Sequence, residues 1–182
     1  MKALWIGLIG TLLVGVPEAS AQSWLAAGAH WSQLQGAGDG GNTFPEMGEN
    51  QGYTVELGLR GKDARWAFVF EGDWYKTINT VGVSTADVTF VVPVTMEVRL
   101  FLVKKGYVLP FLGVGAGWSR MKFEGMQGAD NQLLLPASVG IQFSALRAHL
   151  LVQPIARYYI VALNSLGQTS GVQAAVLLGL TW

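Results

Sequence analysis

The sequence contains no cysteine and only two histidines among its 182 residues. The absence of cysteine excludes a disulfide framework, a thiolate metal site and a cysteine nucleophile, and two histidines offer little material for a zinc site. Charged residues make up 13 %, about half of the roughly 25 % found in ordinary soluble proteins. Twelve acidic and twelve basic side chains leave no net charge, which argues against a nucleic-acid partner and against intrinsic disorder. We therefore expect neither a metal nor another cofactor.

The first 21 residues have the three parts of a secretory signal peptide. Lys2 supplies a positive charge, residues 3–16 are mostly apolar, and Ala19-Ser20-Ala21 forms a small-residue cleavage site. The apolar run is too short for a membrane-spanning helix, which needs about 20 residues. We predict that residues 1–21 are cleaved and that residues 22–182 form the exported protein; a short N-terminal anchor is the alternative.

Apolar and polar residues alternate with a period of two through much of the remaining chain. In residues 54–60, for example, valine and leucine alternate with Glu56, Gly58 and Arg60. This period is typical of β-strands whose two faces meet different surroundings. Eight strands are predicted, at residues 24–34, 52–61, 65–76, 87–102, 106–120, 132–144, 147–161 and 172–182.

The connections between the predicted strands alternate in length. Short turns are predicted at 61–64, 103–106 and 144–147. Longer connections are predicted at about 35–51, 77–86, 121–131 and 162–171. Transmembrane barrels combine short periplasmic turns with longer outer loops, and an even number of strands places both termini on the turn side. We therefore predict an all-β, eight-stranded antiparallel up-and-down transmembrane β-barrel over residues 22–182, with both termini in the periplasm.

The two faces of the predicted strands differ in their charge. One face is almost entirely apolar, whereas the other combines small and polar residues with Glu56, Arg60, Glu71, Asp73, Glu97, Arg99 and Arg157. A soluble barrel turns its apolar face inward, while a membrane barrel turns it outward to lipid. We predict that these acids and arginines pair as a charge network that plugs the lumen. A soluble periplasmic barrel of the lipocalin type is the rival fold.

Aromatic residues cluster near both ends of the predicted strands. Trp66 and Trp74 are separated by about 26 Å along a strand, or about 20 Å when the strand is tilted, close to the roughly 25 Å apolar band of a membrane barrel. Two aromatic girdles are therefore predicted at the membrane interfaces. Their residues are Trp24, Trp31, Trp66, Trp74, Tyr107, Trp118 and Tyr158.

Charge also differs between the two ends of the predicted barrel. The short-turn end carries five cations against the single acid Asp63: Lys62, Arg65, Lys104, Lys105 and Arg147. The long-loop end has more acids than bases: Asp39, Glu46, Glu49, Asp87, Glu124 and Asp130 against Lys76, Arg120 and Lys122. An acidic outer end does not by itself attract anionic headgroups or nucleic acid.

The chain ends in an alternating stretch, residues 178–182, whose last residue is Trp182. Four further segments match the same pattern, 25–34, 93–99, 107–118 and 157–159. Together they resemble the eight-stranded outer-membrane β-barrel domain family, with porin-family or PorT-type labels and an OmpA/OmpX-like architecture. The resemblance implies a bacterial outer-membrane location and reading of Trp182 by the barrel-assembly machinery. It also implies outer-membrane lipid, lipopolysaccharide and other outer-membrane proteins as partners.

The interior of an eight-stranded barrel is just wide enough for side chains to fill. We therefore expect no enzymatic activity but a structural or interaction role, as a subunit or docking partner of a larger outer-membrane assembly or as a surface-contact protein. A narrow ion channel or porin is one alternative. A lipid-A-modifying enzyme is another, because His30-Trp31-Ser32 is similar to the H-x-S of PagL-type lipid A deacylases. Here the pair lies on the first strand with no obvious carboxylate to orient the histidine.

Overall fold

The structure is a computed structural model that describes residues 22–36, 46–47, 49–77, 80–81, 88–123, 129–145, 149–162 and 169–182. The predicted signal peptide, residues 1–21, lies outside this part of the chain, as does most of the first long connection. The strands are β1 (Trp24–Gly36), β2 (Glu46–Met47), β3 (Glu49–Arg60), β4 (Trp66–Thr77), β5 (Thr80–Val81), β6 (Val88–Phe101), β7 (Val108–Phe123), β8 (Ala129–Ala145), β9 (Leu150–Ala162) and β10 (Thr169–Thr181).

Eight of these strands close into one antiparallel barrel, in the order β1-β3-β4-β6-β7-β8-β9-β10, with β10 paired to β1. The two short strands β2 and β5 form a separate ladder. Each barrel strand therefore pairs with the barrel strands before and after it in the chain. The predicted all-β, eight-stranded antiparallel up-and-down barrel is confirmed. Within the described ranges, no helix has the length and hydropathy needed to cross a membrane.

The observed strands agree with the predicted ones to within a few residues, except at the long-loop end. There β7 continues to Phe123 and β8 begins at Ala129, so much of the predicted connection 121–131 belongs to the ladder. Lys122, for instance, pairs with Ala129. Backbone hydrogen bonds do not depend on an apolar face, so the ladder continues beyond the stretch in which apolar residues alternate.

The apolar face of the barrel points outward. On β4, Trp66, Phe68 and Phe70 are 56, 55 and 42 % exposed, whereas Ala67 and Val69 between them are buried. Successive side chains of a strand point to opposite faces, so the same division repeats on every barrel strand. A lipocalin-type barrel would bury the apolar series, and the observed division is therefore that of a transmembrane barrel.

An apolar layer lies inside the barrel near the short turns. The ring of Phe101 lies 6.1 Å from that of Trp24, edge to face, and 5.6 Å from that of Phe111. All three side chains are buried. The predicted place of Trp24 in an outer girdle is therefore wrong, because Trp24 occupies an inward position of β1. Gly58, its neighbour on β3, has no side chain, and a Cβ there would collide with the indole ring.

The last residue of the chain takes part in closing the ring. Ser23 and Trp182 exchange backbone hydrogen bonds, from Ser23 N to Trp182 O at 3.1 Å and from Trp182 N to Ser23 O at 3.0 Å. The β1–β10 ladder continues from this pair, starting with Trp24 against Thr181. Trp182 thus lies at the seam between the first and last strands. Its recognition by the assembly machinery stays a prediction.

Candidate functional site

Charged side chains from four strands converge inside the barrel, as the sequence predicted for the inward face. Glu56 comes from β3, Glu71 from β4, Glu97 and Arg99 from β6, and Arg157 from β9. Each of the five is at most 3 % exposed. Buried charges are stable only when they are paired and hydrogen-bonded, so the contacts between these groups decide what the lumen can do.

Arg99 holds two of the carboxylates with three of its nitrogens. Nη1 and Nη2 donate to Oε1 and Oε2 of Glu56 at 2.9 and 2.7 Å. Nε donates to Oε2 of Glu97 at 2.8 Å. Two parallel charge-assisted bonds fix the guanidinium and carboxylate planes relative to each other, which makes this pair strong and directional. Strands β3 and β6 are separated by β4 in the ring, so the pair links strands that are not neighbours.

Arg157 forms the second centre of the cluster and reaches across the lumen. Its Nη2 pairs with Oε2 of Glu71 and lies 3.4 Å from Oε2 of Glu56. Its Nη1 donates to Oε1 of Gln173 at 2.8 Å. In the ring of eight strands, β9 and β4 are four positions apart and therefore lie on opposite sides. The Arg157–Glu71 pair consequently spans the width of the interior.

Two glycines of β7 make room for this cluster. A Cβ on Gly113 would meet the Oγ of Ser138 and come within 3.0 Å of Arg99 Cγ, and a Cβ on Gly115 would come within 3.0 Å of Glu97 Cγ. The Gly-Val-Gly stretch of β7 therefore turns its valine outward and leaves the lumen side free for the charged groups of β6. Ser138 uses this space to donate to Glu97 Oε2 at 3.0 Å.

Asp73 lies in a polar group on β1, β3, β4 and β9. Thr54 donates its hydroxyl to Asp73 Oδ1 at 2.5 Å. Because that proton is engaged, His30 Nδ1 donates to Thr54 Oγ1, at 3.0 Å. Tyr159 places its hydroxyl 3.3 Å from Asp73 Oδ2 and 3.4 Å from Glu71 Oε1. The hydroxyl of Tyr159 thereby joins the aspartate group to the central ion pairs.

His30 therefore has the carboxylate neighbour that the sequence did not reveal. Its Nδ1 lies 3.6 Å from Asp73 Oδ1. Ser32, the other residue of the H-x-S pair, is buried, and in the described part of the chain its Oγ has no hydrogen-bond partner. A serine nucleophile needs a hydrogen bond to its base. The two residues share the inward face of β1 without forming that bond.

Arg60 lies apart from the central cluster, although the sequence placed it in the same network. Its Nε donates to Ala64 O at 2.8 Å, its Nη2 donates to Lys104 O at 2.7 Å, and its guanidinium carbon lies 4.2 Å above the ring of Phe101. Four residues along β3 correspond to about 13 Å, so Arg60 is beyond reach of the groups around Glu56. It joins the two adjacent short turns from inside the barrel.

The remaining predicted aromatic residues lie on the outer surface. Trp66, Trp74, Tyr107, Trp118 and Tyr158 are between 46 and 67 % exposed, and Trp31 is partly exposed. Their outward positions agree with what membrane girdles require. Their depth in a bilayer stays a prediction.

Several side chains outside the predicted charge network also bind the cluster. Gln153 donates to both carboxylate oxygens of Glu56, at 3.0 and 3.1 Å, and the Nε1 of Trp24 donates to Glu56 Oε1 at 2.7 Å. Gln153 lies on the same face of β9 as Arg157, as the alternation of residues predicts, and the same parity could have assigned Tyr159 to the lumen.

Comparisons with known proteins find the fold but no family. Neither a protein-family model nor a curated protein matches the sequence. Among solved structures, the Neisserial surface protein A (NspA) is similar with a TM-score of 0.65 and 12 % identity, over 89 % of this chain and 99 % of that chain. Ail, the attachment invasion locus protein of Yersinia pestis, is similar in its complex with the heparin analogue sucrose octasulfate, with a TM-score of 0.61, 14 % identity and the same coverage. At these identities the likeness establishes the barrel fold alone.

Proposed function

We propose that this chain is a small integral barrel of the bacterial outer membrane that acts through contacts at its surface. Its lumen is plugged by its own side chains, and neither transport nor catalysis is part of the proposal. The observation that carries it is the Arg157–Glu71 pair across the interior, joined to the Arg99–Glu56 pair. These side chains occupy the space that a solute would need, and their mutual hydrogen bonds hold them there.

The outer face of the barrel supports the membrane location. Exposed tryptophan, phenylalanine, leucine and valine side chains cover it from Trp66 on β4 to Leu180 on β10. Exposed apolar surface of this extent is unfavourable in water and favourable against acyl chains. We place both termini and the short turns in the periplasm, and the longer connections outside the cell, as in other barrels of this kind.

A surface-contact role is preferred to a role inside a larger assembly. The fold is shared with NspA, a surface protein, and with Ail, an attachment invasion locus protein. The preferred partners are thus molecules that meet the long-loop end, with lipopolysaccharide and phospholipid around the barrel. A docking partner among other outer-membrane proteins is the second possibility, and the barrel-assembly machinery is a partner during biogenesis.

Purification from native outer membranes distinguishes these roles. The chain is extracted in mild detergent through a tag in a long connection, and the mass and composition of the particle are determined. The proposal expects the chain in the carbonate-resistant outer-membrane fraction as a lone barrel with detergent and lipid. A stable stoichiometric complex would make it an assembly subunit instead, and release by carbonate alone would contradict the membrane location.

An enzymatic role is tested separately on lipid A. Because Ser32 lies in the interior and its Oγ has no hydrogen-bond partner among the described residues, the proposal expects the same lipid A species in a deletion strain and its parent. Loss of a modified lipid A species on deletion, restored by the wild-type gene but not by Ser32→Ala, would contradict it.

A further inference from the structure

Two short-turn segments lie side by side at one end of the barrel. They are residues 61–65, between β3 and β4, and residues 102–107, between β6 and β7. Lys105 Nζ forms an ion pair with Asp63 Oδ1 at 2.8 Å. The buried Arg60 binds a backbone carbonyl of each segment. The two segments are therefore held as one surface, supported from inside the barrel.

This surface has an excess of positive charge. Lys62, Arg65, Lys104 and Lys105 are all exposed, and Asp63 is the one acidic residue of the two segments. The hydrogen bond from Lys105, together with the charges of Lys105, Lys62 and Lys104, holds the pKa of the Asp63 carboxyl below its ordinary value. Three lysines thus act on one carboxylate. Since Asp63 neutralises one of the four cations, three are left to attract an anion.

Apolar and aromatic side chains border these cations. Leu102, Val103 and Tyr107 are 51, 44 and 66 % exposed in the same segment as Lys104, and Trp66 follows Arg65 at 56 %. Exposed aromatic residues beside apolar ones are typical of the boundary between hydrocarbon and headgroups. Lysine side chains next to them reach the phosphates at that level. A soluble acidic partner would complement the charges but would not cover this apolar border.

We infer that the two segments form a docking surface for anionic phospholipid headgroups of the phosphatidylglycerol type. We name it the cationic turn surface, defined by Lys62, Arg65, Lys104 and Lys105. The inference rests on the proposed membrane location, and it adds a specific lipid class and a specific end of the barrel. Anionic lipid attracts each lysine or arginine at the membrane surface, an effect of about fivefold in affinity per cation. A zwitterionic lipid offers no comparable net attraction.

The test compares two triple variants in native mass spectrometry of the folded barrel, titrated with dimyristoyl-phosphatidylglycerol or dimyristoyl-phosphatidylcholine. Lys62→Gln/Arg65→Gln/Lys104→Gln removes the cations that Asp63 does not neutralise and keeps the Asp63–Lys105 pair. Lys76→Gln/Arg120→Gln/Lys122→Gln is the matched control, because it removes two lysines and one arginine from the opposite ends of β4 and β7. A difference in migration between unheated and heated samples in detergent gels shows that each variant folds.

The wild type is expected to bind phosphatidylglycerol more tightly than phosphatidylcholine, with a preference that weakens as salt is added. The first variant is expected to lose roughly tenfold or more of its phosphatidylglycerol affinity, with unchanged affinity for phosphatidylcholine. The control is expected to retain the wild-type preference. Equal affinity of the wild type for both lipids, or equal losses in both variants, would overturn the inference.

Two further experiments distinguish a lipid-docking surface from a simple anion site, and this inference from the proposed membrane location. Inorganic phosphate that displaces phosphatidylglycerol at comparable concentration would show an anion site without lipid specificity, and would overturn the docking surface. Insertion into pure phosphatidylcholine vesicles, measured by protease protection, tests the membrane location independently. A barrel that inserts but shows no lipid preference contradicts only this inference, whereas a barrel that fails to insert contradicts the proposed function as well.

Discussion

Arg157 on β9 and Glu71 on β4 form an ion pair across the full width of the barrel interior. The two residues are 86 positions apart in sequence and lie on opposite walls of the ring. Arg99 and Glu56 add a second connection between strands that do not pair with each other. Side-chain links between opposite walls thereby add to the backbone ladders, and the proposed plug of the lumen depends on these links.

Glu56 is expected to matter more for stability than Glu71. Glu56 accepts hydrogen bonds from Trp24, Arg99 and Gln153, while Glu71 is bound by Arg157 and Tyr159. Glu56→Gln removes the carboxylate that the buried Arg99 and Arg157 share, and breaking buried pairs of this kind costs about 3–5 kcal/mol. Glu71→Gln leaves Arg157 with Glu56 and Gln173, so we expect a smaller cost of about 1–3 kcal/mol.

The measurement for this pair is the free energy of unfolding in urea, with the barrel folded in phospholipid vesicles. The two glutamine variants serve as controls for each other, because the substitution is the same and both positions are buried. Equal losses of stability, or a larger loss for Glu71→Gln, would contradict the assigned contacts.

The inward position of Trp24 can be tested by fluorescence quenching. Two variants each keep one tryptophan, Trp24 or Trp66, with the others replaced by phenylalanine. Lipids brominated on their acyl chains are expected to quench Trp66 strongly, because its side chain is exposed on the outer face, and to leave Trp24 almost unquenched. Strong quenching of Trp24 would show that its side chain faces the acyl chains, and would contradict its inward position.

Gly58 is expected to tolerate no side chain while Trp24 is present. A Cβ at this position would collide with the indole ring, and overpacking of this kind costs about 1–3 kcal/mol. Gly58→Ala is therefore expected to lower the free energy of unfolding, and Trp24→Ala is expected to reduce the additional effect of Gly58→Ala by removing the obstacle. A double-mutant cycle measures this coupling. Additive effects would show that the two residues do not touch.

The Asp63–Lys105 pair predicts a titration at the turn surface. The hydrogen bond from Lys105 lowers the pKa of Asp63, so the contribution of this pair to stability is present above the unfolded-state pKa and is lost as the pH falls through the folded-state pKa. Carbon-detected NMR of the Asp63 carboxyl in micelles is expected to show the lowered value, and Lys105→Gln is expected to raise it. An unchanged titration in Lys105→Gln would contradict the ion pair.

The alternation of residues was enough to predict the barrel and the inward position of every charge in the proposed network. Each of those residues, from Glu56 to Arg157, has the parity of the polar face, and parity alone decides which side of a strand faces the lumen. The same parity places Trp24 on the inward face of β1. Its aromatic side chain near a strand end nevertheless led to the prediction of a girdle position. Its partners Gly58 and Glu56 on β3 explain the inward position.

The contacts within the lumen could not be predicted from the sequence. Which carboxylates Arg157 meets depends on the positions of β9, β4 and β6 around the closed ring and on the heights of the residues along tilted strands. For the same reason, the polar face grouped Arg60 with Glu56, which lies about 13 Å away along the same strand. Arg60, which binds the two turns, lies at a different position along the barrel axis from the central cluster. The pattern of the polar face does not reveal this position.

Single-channel conductance of the purified, folded barrel in planar bilayers tests the plugged lumen most directly. With the Arg157–Glu71 and Arg99–Glu56 pairs across the interior, the account predicts current at the level of the bare bilayer, at low and high salt and at either polarity. Reproducible unit steps whose size rises with salt concentration would show an open aqueous path and would contradict the account.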